Sequence, residues 1–430
     1  MPNSMKREIG LAGAILMGLG SIVGTGVFVS IGIAAGVAGA NVLPAIFLAS
    51  LLAICNGLSS AQLAASHPVS GGTYEYGYRW LTPTLGFSAG WLFMCAKSAS
   101  AATALLGLAG YLCTATLGWE CGGSLLLIVL ALAMLSLLTI LTLVGIKRTN
   151  VVNSLIVTTT LVSLLLLVWF GFPSAILRAD KNLAGLMVFD KQASMDLLQA
   201  TALMFVAYTG YGRIATLGEE VKSPRRTIPR AMIMTLAVTM ALYLTVGLVA
   251  VALVGPQKLA LSAKTSVAPL LYAAQSLGAP WLNAVLLLGA ITAMLGVVLN
   301  LILGLSRVAL AMARRNDLPQ SLSTVNEKGV PRIATIFVVV IIGFLVLLGD
   351  VKVSWSFSAF TVLLYYSLTN LCAILIEKES RLYPAWISWT GLIGCFSLAF
   401  WITPKIVFIS LIVLLVGLIF RVGFKTIGRS

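Results

Sequence analysis

The chain has 430 residues, of which 59% are hydrophobic and 10% charged, and its formal net charge is +15. Soluble domains carry about 25% charged residues, so a water-facing surface is excluded and the chain must have lipid as its solvent. The positive charge does not indicate nucleic-acid binding, because the basic residues fall in short loops between apolar runs, where they set membrane topology. The single histidine, His67, cannot form a metal site alone.

Apolar runs long enough to cross a bilayer follow one another along the whole chain. We predict about twelve spans, near residues 9–37, 42–65, 85–116, 124–145, 150–172, 196–218, 230–254, 281–311, 333–349, 353–376, 384–401 and 403–422. The first and eighth are long enough to tilt or break. Most lysines and arginines fall in the loops on one side, which predicts a bacterial-type inner membrane protein with both termini in the cytoplasm. Cys113 and Cys121 flank an outward loop, and the sequence does not decide whether they pair.

The first and sixth spans are both interrupted midway by glycine-rich polar stretches, Gly20–Gly26 and Ala207–Gly212. A pair of interrupted segments at corresponding positions of two halves indicates a transporter built from inverted repeats. The alternative is a close helix–helix contact made by small residues.

A helix broken in mid-membrane must direct its unpaired backbone groups at protein, a cavity or a ligand, because hydrocarbon cannot hydrogen-bond them. The N–H groups that begin the outgoing half-helix suit a carboxylate. The carbonyls that end the incoming half-helix suit an ammonium. A zwitterionic amino acid presents both groups, so the two breaks predict an amino acid site.

Four motifs in order resemble signatures of the amino acid–polyamine–organocation (APC) superfamily. They are Gly20–Phe28, Pro68–Tyr76, Phe205–Gly212 with Glu219–Ala231, and Ser306–Pro319. The resemblance implies an all-α integral membrane protein with the LeuT-type fold, in which five plus five inverted helices, with the first and sixth broken, are followed by two C-terminal helices. One domain, 1–430, would then contain a first repeat at about 8–172, a second at about 195–376 and the extra helices at about 384–422.

The resemblance also implies a set of substrate-binding residues at the two breaks. They are Ile22, Gly24, Thr25, Gly26, Phe205, Val206, Tyr208 and Thr209. The Gly24–Gly26 segment would hold the substrate carboxylate, and the backbone carbonyls of Ile22, Val206 and Thr209 would hold the ammonium. The two aromatic residues would shape or gate the side-chain pocket, unless they only pack the helix.

The coupling ion is indicated by a departure from the family pattern. Sodium-coupled members of this fold place hydroxyl side chains on the eighth helix, where this chain aligns Leu295 and Gly296, so sodium coupling is not expected. Some proton-coupled relatives carry a lysine in the fifth helix, where this chain has Thr160. Lys97, inside the third span, is instead an ionisable group in a membrane helix, and we expect it to exchange the coupling proton. The alternative is a lysine that lines a water-filled vestibule.

Charged residues elsewhere limit the substrate and the reaction. The acidic residues fall at helix ends or in loops, so a cationic side chain would lack a counter-charge and neutral amino acids are expected. Acidic amino acids are the alternative, because Lys97 could face them. Arg213 is expected to pair with Glu219, Glu220 or loop carbonyls. The chain has no P-loop and no clustered catalytic groups, so neither ATP, a cofactor, a metal nor an enzyme activity is expected.

We therefore predict a secondary active transporter of neutral amino acids, working by alternating access and proton symport. A sodium-independent exchanger or uniporter, and a non-transporting amino acid sensor, are the alternatives.

Overall fold

A computed structural model of the protein consists of helices and their connections throughout the part of the chain that it describes. That part covers residues 9–67, 71–117, 121–144, 150–188, 190–215, 221–326 and 329–427. In chain order the α-helices are α1 Leu11–Ile22, α2 Thr25–Phe28, α3 Ser30–Ala38, α4 Val42–Ser66, α5 Thr73–Trp80, α6 Pro83–Leu117, α7 Leu125–Val144, α8 Asn150–Asn182, α9 Lys191–Tyr208, α10 Gly212–Ala215, α11 Pro224–Val254, α12 Pro256–Thr265, α13 Pro269–Gln275, α14 Pro280–Arg314, α15 Arg332–Leu347, α16 Val351–Ile374, α17 Ala385–Ala399 and α18 Pro404–Ile427.

Among the described residues, eight helical stretches are long and apolar enough to cross a membrane, and α1, α15 and α17 are shorter apolar helices. Helices satisfy their own backbone hydrogen bonds, which is the condition for crossing hydrocarbon. Large apolar side chains such as Trp169, Leu177 and Phe408 point outward and are exposed. That surface suits lipid rather than water, so the chain has the helices of a multi-pass membrane protein.

Helix α6 lies in the interior of the bundle and is packed against α14 and α16. Its middle is rich in fully buried alanines, among them Ala99, Ala101 and Ala102. Small residues let neighbouring helix backbones approach closely inside a membrane. This central position places the polar side chains of α6 in the middle of the bundle. On a span that faces lipid, they would point into hydrocarbon instead.

The fifth predicted span ends before the helix that the structure has there. Helix α8 continues beyond residue 172, where the span was expected to end, and runs through Pro173 to Asn182. Its last turns carry exposed Arg178 and Lys181, which hydropathy excludes from a span although they remain helical. Of the two spans long enough to tilt or break, the eighth is one uninterrupted helix, α14.

The short helix α5 follows α4 and packs beneath the start of α6. It contains the second half of the loop motif that resembles the APC superfamily, whereas Pro68, Val69 and Ser70 lie outside the described residues. The structure joins Cys113 and Cys121 in a disulfide, which answers the question that the sequence left open.

Candidate substrate site at two helix breaks

The first break separates α1 from α2 at the glycine-rich stretch predicted from the sequence. Helix α1 ends at Ile22, and Val23 and Gly24 leave the helical conformation before α2 starts at Thr25. A second interruption at Val29 precedes α3. The backbone is therefore irregular in the middle of an otherwise buried apolar segment, where its polar groups need partners other than the helix itself.

The second break follows α9. Helix α9 ends at Tyr208, a turn of 3-10 helix covers Thr209–Tyr211, and α10 begins at Gly212. Thr209 caps the end of α9, because its backbone N–H and its hydroxyl both donate to the Val206 carbonyl. The break thus has a local cause, a threonine that satisfies a carbonyl in the last turn of α9.

The two breaks touch each other through glycines. A Cβ on Gly210 would lie 2.2 Å from the Ser21 carbonyl oxygen, and a Cβ on Gly26 would lie 2.7 Å from the Cβ of Ala207. Neither position has room for a side chain. The hydroxyl of Tyr243, on α11, lies 2.9 Å from the Ile22 carbonyl oxygen and 3.3 Å from that of Ala207. One tyrosine therefore bonds to both breaks.

A cavity of about 640 Å³ extends from the breaks to the end of α14. Helices α6 and α16 complete its wall around the breaks. The lining includes Ser21, Ile22, Thr25, Gly26, Phe93, Lys97, Ser100, Val206, Ala207, Thr209, Gly210, Trp355, Tyr365 and Tyr366. At its other end the lining includes the exposed Arg314 and Arg315, so the cavity opens on the side of the molecule where α14 ends.

Five of the eight expected binding residues line this cavity. They are Ile22, Thr25, Gly26, Val206 and Thr209. The remaining three contact neighbouring helices instead. Gly24 packs against Val297, and the Phe205 ring lies edge-on to Tyr366, with 5.7 Å between centroids. The Tyr208 hydroxyl donates to the Ile46 carbonyl at 3.3 Å. None of these three is among the residues that line the cavity.

Thr25 has a hydroxyl without a partner at the wall of the cavity. Its side chain is 3% exposed, and its Oγ1 has no hydrogen-bond partner among the described residues. A buried hydroxyl that lacks a partner is costly and uncommon in folded proteins. A ligand that offers an acceptor to Thr25 would remove that cost.

The three carbonyls expected to hold an ammonium already accept hydrogen bonds. Ile22 accepts from Tyr243, and Val206 accepts from Thr209. The Thr209 carbonyl accepts from the Tyr366 hydroxyl at 3.2 Å and from Lys97 Nζ at 3.4 Å. The sequence did not predict the donors Tyr243, Tyr366 and Lys97, because they lie on helices distant in sequence from the carbonyls that they contact.

Lys97 reaches the second break from α6. Its side chain is 8% exposed, and its Nζ lies 2.8 Å from Thr209 Oγ1 as well as near the Thr209 carbonyl. The lysine singled out in the third span therefore lies at the break itself. An ammonium has three donors, and two acceptors belong to Thr209.

The residues of α14 nearest to Gly24 are Ala293 and Val297, which flank the aligned pair Leu295 and Gly296. Neither Ala293 nor Val297 carries a side-chain oxygen. Thr160, on α8, donates to the Ile156 carbonyl at 2.8 Å and lies 3.4 Å from the Gly289 carbonyl oxygen, so it joins α8 to α14.

A buried carboxylate near the mouth of the cavity was missed by sequence reasoning. Asp317 is fully buried and accepts hydrogen bonds from Tyr74, Tyr78 and Arg421 Nε, the last at 3.0 Å. Arg421 lies on α18 and also donates to Thr84 Oγ1 at 3.0 Å. Burial and the adjacent carboxylate raise the pKa of Tyr78 to about 12, which keeps its phenol a donor.

The charges along the cavity are mostly positive. Arg213, Arg307, Arg314 and Arg315 line it together with Lys97, and Glu75 is the one carboxylate among the described lining residues. Glu75 forms an ion pair with Arg315. Glu219 and Glu220, the expected partners of Arg213, lie outside the described residues.

Comparison with known proteins identifies the family. The model of the amino acid permease family matches residues 13–429. An uncharacterized transporter of Mycobacterium tuberculosis is 38% identical over 401 residues, which are 93% of this chain and 87% of the relative. The branched-chain amino acid permease BcaP of Bacillus subtilis is 30% identical over 349 residues, 78% of this chain and 73% of the relative.

A serine/threonine exchanger of Bacillus subtilis, SteT, is 25% identical over 387 residues, 88% of this chain and 85% of the relative. The family match covers both helix breaks and the cavity between them. With its apolar helices and its match over nearly the whole length, the chain belongs to the amino acid permease family of the APC superfamily.

Proposed function

We propose that the protein is a secondary active transporter of neutral amino acids that works by alternating access. The observation that carries this proposal is the unpartnered hydroxyl of Thr25, which lines the cavity where the two helix breaks meet. The substrate carboxylate would accept from this hydroxyl and lie along Gly24–Gly26. The substrate ammonium would approach the carbonyls of Ile22, Val206 and Thr209.

The architecture proposed with this function is the twelve-span LeuT-type fold. Breaks at corresponding places of the first and sixth spans support a five-plus-five inverted repeat, in which α17 and α18 are the two extra helices. The excess of basic residues at the end of the molecule where α14 ends supports a cytoplasmic location for that end and for both termini. The cavity would then face the cytoplasm. A bacterial-type inner membrane is the proposed location.

The charge of the cavity supports a preference against cationic substrates. Lys97 lies at the break, and the one lining carboxylate, Glu75, is paired with Arg315. An arginine or lysine side chain would enter without a free counter-charge.

We propose proton symport as the coupling mode, with Lys97 as the group that carries the proton. Its ammonium contacts the second break directly, so a change in its charge acts on the site itself. Coupling requires only that the proton bind the outward- and inward-facing states unequally. A sodium-independent exchanger or uniporter is the alternative within transporters, and a non-transporting sensor is the alternative outside them.

Uptake of radiolabelled amino acids by proteoliposomes tests the function and the coupling together. The wild type is expected to concentrate a neutral amino acid when an inward proton gradient is imposed. Lys97→Met keeps length and apolar bulk but cannot titrate, so it should retain exchange of internal for external substrate and lose accumulation. Lys352→Met, which removes an exposed lysine outside the cavity, is the matched control and should accumulate substrate normally.

Two results would contradict the coupling proposal. One is accumulation by Lys97→Met liposomes under the same gradient, and the other is wild-type uptake that ignores the gradient. The second result would favour exchange or uniport. Binding of amino acids without any flux would favour the sensor.

A further inference from the structure

The place expected for the substrate ammonium is occupied by an ammonium of the chain itself. Lys97 Nζ lies 2.8 Å from Thr209 Oγ1 and 3.4 Å from the Thr209 carbonyl oxygen. The carbonyls of Ile22 and Val206, which complete the expected amino subsite, accept from Tyr243 and Thr209. The hydrogen bonds that a substrate amine would make are thus supplied internally.

An entering α-ammonium would meet this resident cation. Two like charges at one acceptor disfavour each other strongly where little water screens them. A zwitterionic amino acid must therefore displace the Lys97 side chain before its amine reaches Thr209. A ligand without an amine has no such requirement.

The part of the site expected to hold the carboxylate, unlike the amino subsite, has a donor that no group among the described residues occupies. The Thr25 hydroxyl is buried, lines the cavity and has no partner among the described residues. The approach to it passes Arg307, Arg314 and Arg315, and Glu75, the one carboxylate among the described lining residues, is paired. Cavities lined by one sign of charge concentrate ligands of the opposite sign. The site therefore favours a ligand with a net negative charge.

We propose that the site binds small carboxylates that lack an α-amino group, with Thr25 donating to the carboxylate and Lys97 taking the place of the missing amine. This inference rests on the proposed function, because it uses the same site. It adds a ligand class, the des-amino analogues of neutral amino acids.

The test compares matched pairs of ligands on the purified full-length protein. The pairs are leucine with 4-methylpentanoate and threonine with 3-hydroxybutanoate, and the readout is Kd from calorimetry, supported by ligand-induced thermal stabilisation. In the wild type, at least one of the two carboxylates should bind with a Kd within about tenfold of its amino acid partner. The two members of that pair should compete for one site.

Lys97→Met should separate the members of the pair that binds. It removes a charged donor next to the carboxylate, so the des-amino ligand should weaken by about tenfold or more. The amino acid should bind more tightly, because the competing cation is gone. Lys97→Gln serves as a second variant if Lys97→Met does not fold, and Lys352→Met should leave both Kd values unchanged.

Each result decides between the two proposals. A wild type that binds the amino acids and neither carboxylate overturns this inference and leaves the proposed function standing. Equal weakening of both members by Lys97→Met and Lys97→Gln also overturns it, since the lysine would then be structural. A wild type that binds a carboxylate and no amino acid supports the inference and contradicts the proposed function. Binding of neither class contradicts both.

Discussion

At the scale of single residues, Thr25 supplies the hydroxyl on which carboxylate binding rests. Thr25→Val keeps the shape of the side chain and removes this donor. Losing a hydrogen bond to a charged group costs about 1.5–3 kcal/mol, so the Kd of the best neutral amino acid should rise by about tenfold or more in calorimetry. Thr103→Val is the matched control, because the Thr103 hydroxyl donates to the Ala99 carbonyl within α6. A Kd that Thr25→Val leaves unchanged would place the ligand elsewhere.

Lys97 links substrate chemistry to the sign of proton coupling. An α-ammonium and the Lys97 ammonium are like charges directed at the Thr209 carbonyl. Symport of a proton with a neutral amino acid therefore requires Lys97 to swing away from Thr209 and keep its proton. A carboxylate without an amine would let the protonated side chain stay in place.

Sequence reasoning predicted Lys97 as a functional residue and did not predict its partner. A charged residue within an apolar run is visible in the sequence, whereas the contact with Thr209 depends on how α6 packs against the second break.

At the scale of elements, the contact between the two breaks depends on Gly210. Gly210→Ala would place a Cβ 2.2 Å from the Ser21 carbonyl oxygen, a backbone atom that cannot move without shifting α1. We expect this variant to lose substrate binding and to unfold at a lower temperature. Thermal unfolding in detergent, with and without substrate, is the measurement.

Gly304→Ala is the matched control for Gly210→Ala. Gly304 also lines the cavity, but a Cβ there would meet nothing within 4 Å. It should retain the wild-type unfolding temperature. Substrate-induced stabilisation of Gly210→Ala equal to that of the wild type would show that the breaks need not touch for binding.

The interruptions of the first and sixth spans were predicted at the stretches where the structure has them. They were visible because glycines and hydroxyl residues interrupt apolar runs, and because such residues change the local backbone directly. The interior position of α6 was not predicted. Hydropathy separates helices in the membrane from segments in water, but it does not separate a helix that faces lipid from one that faces other helices.

At the scale of the whole molecule, the excess of basic residues at one end predicts the orientation in the membrane. Cysteines introduced at Lys181 and Lys258 should react with a membrane-impermeant maleimide added outside, and cysteines at Lys222 and Lys378 should react only after the membrane is opened. All four positions are exposed, so access to solvent does not distinguish them. The background variant replaces the four free cysteines. The reverse labelling pattern would show that the charge distribution misled us.

The amino acid permease family was predicted from motifs in the first three quarters of the chain, and the family match confirms it up to residue 429. The last helices resembled the family only in hydropathy. Their contribution through Arg421 was not predicted, because the pair with Asp317 joins residues 104 positions apart.

The ion pair between Asp317 and Arg421 attaches α18 to the mouth of the cavity. A protein truncated before Arg421 would keep most of α18 but leave Asp317 buried without its guanidinium. Removing one partner of a buried ion pair costs about 3–5 kcal/mol, a large part of the stability of a typical domain. An affinity tag at this end of the protein should therefore follow α18 and leave Arg421 in place. Loss of Arg421 should lower the yield of folded protein before it alters transport.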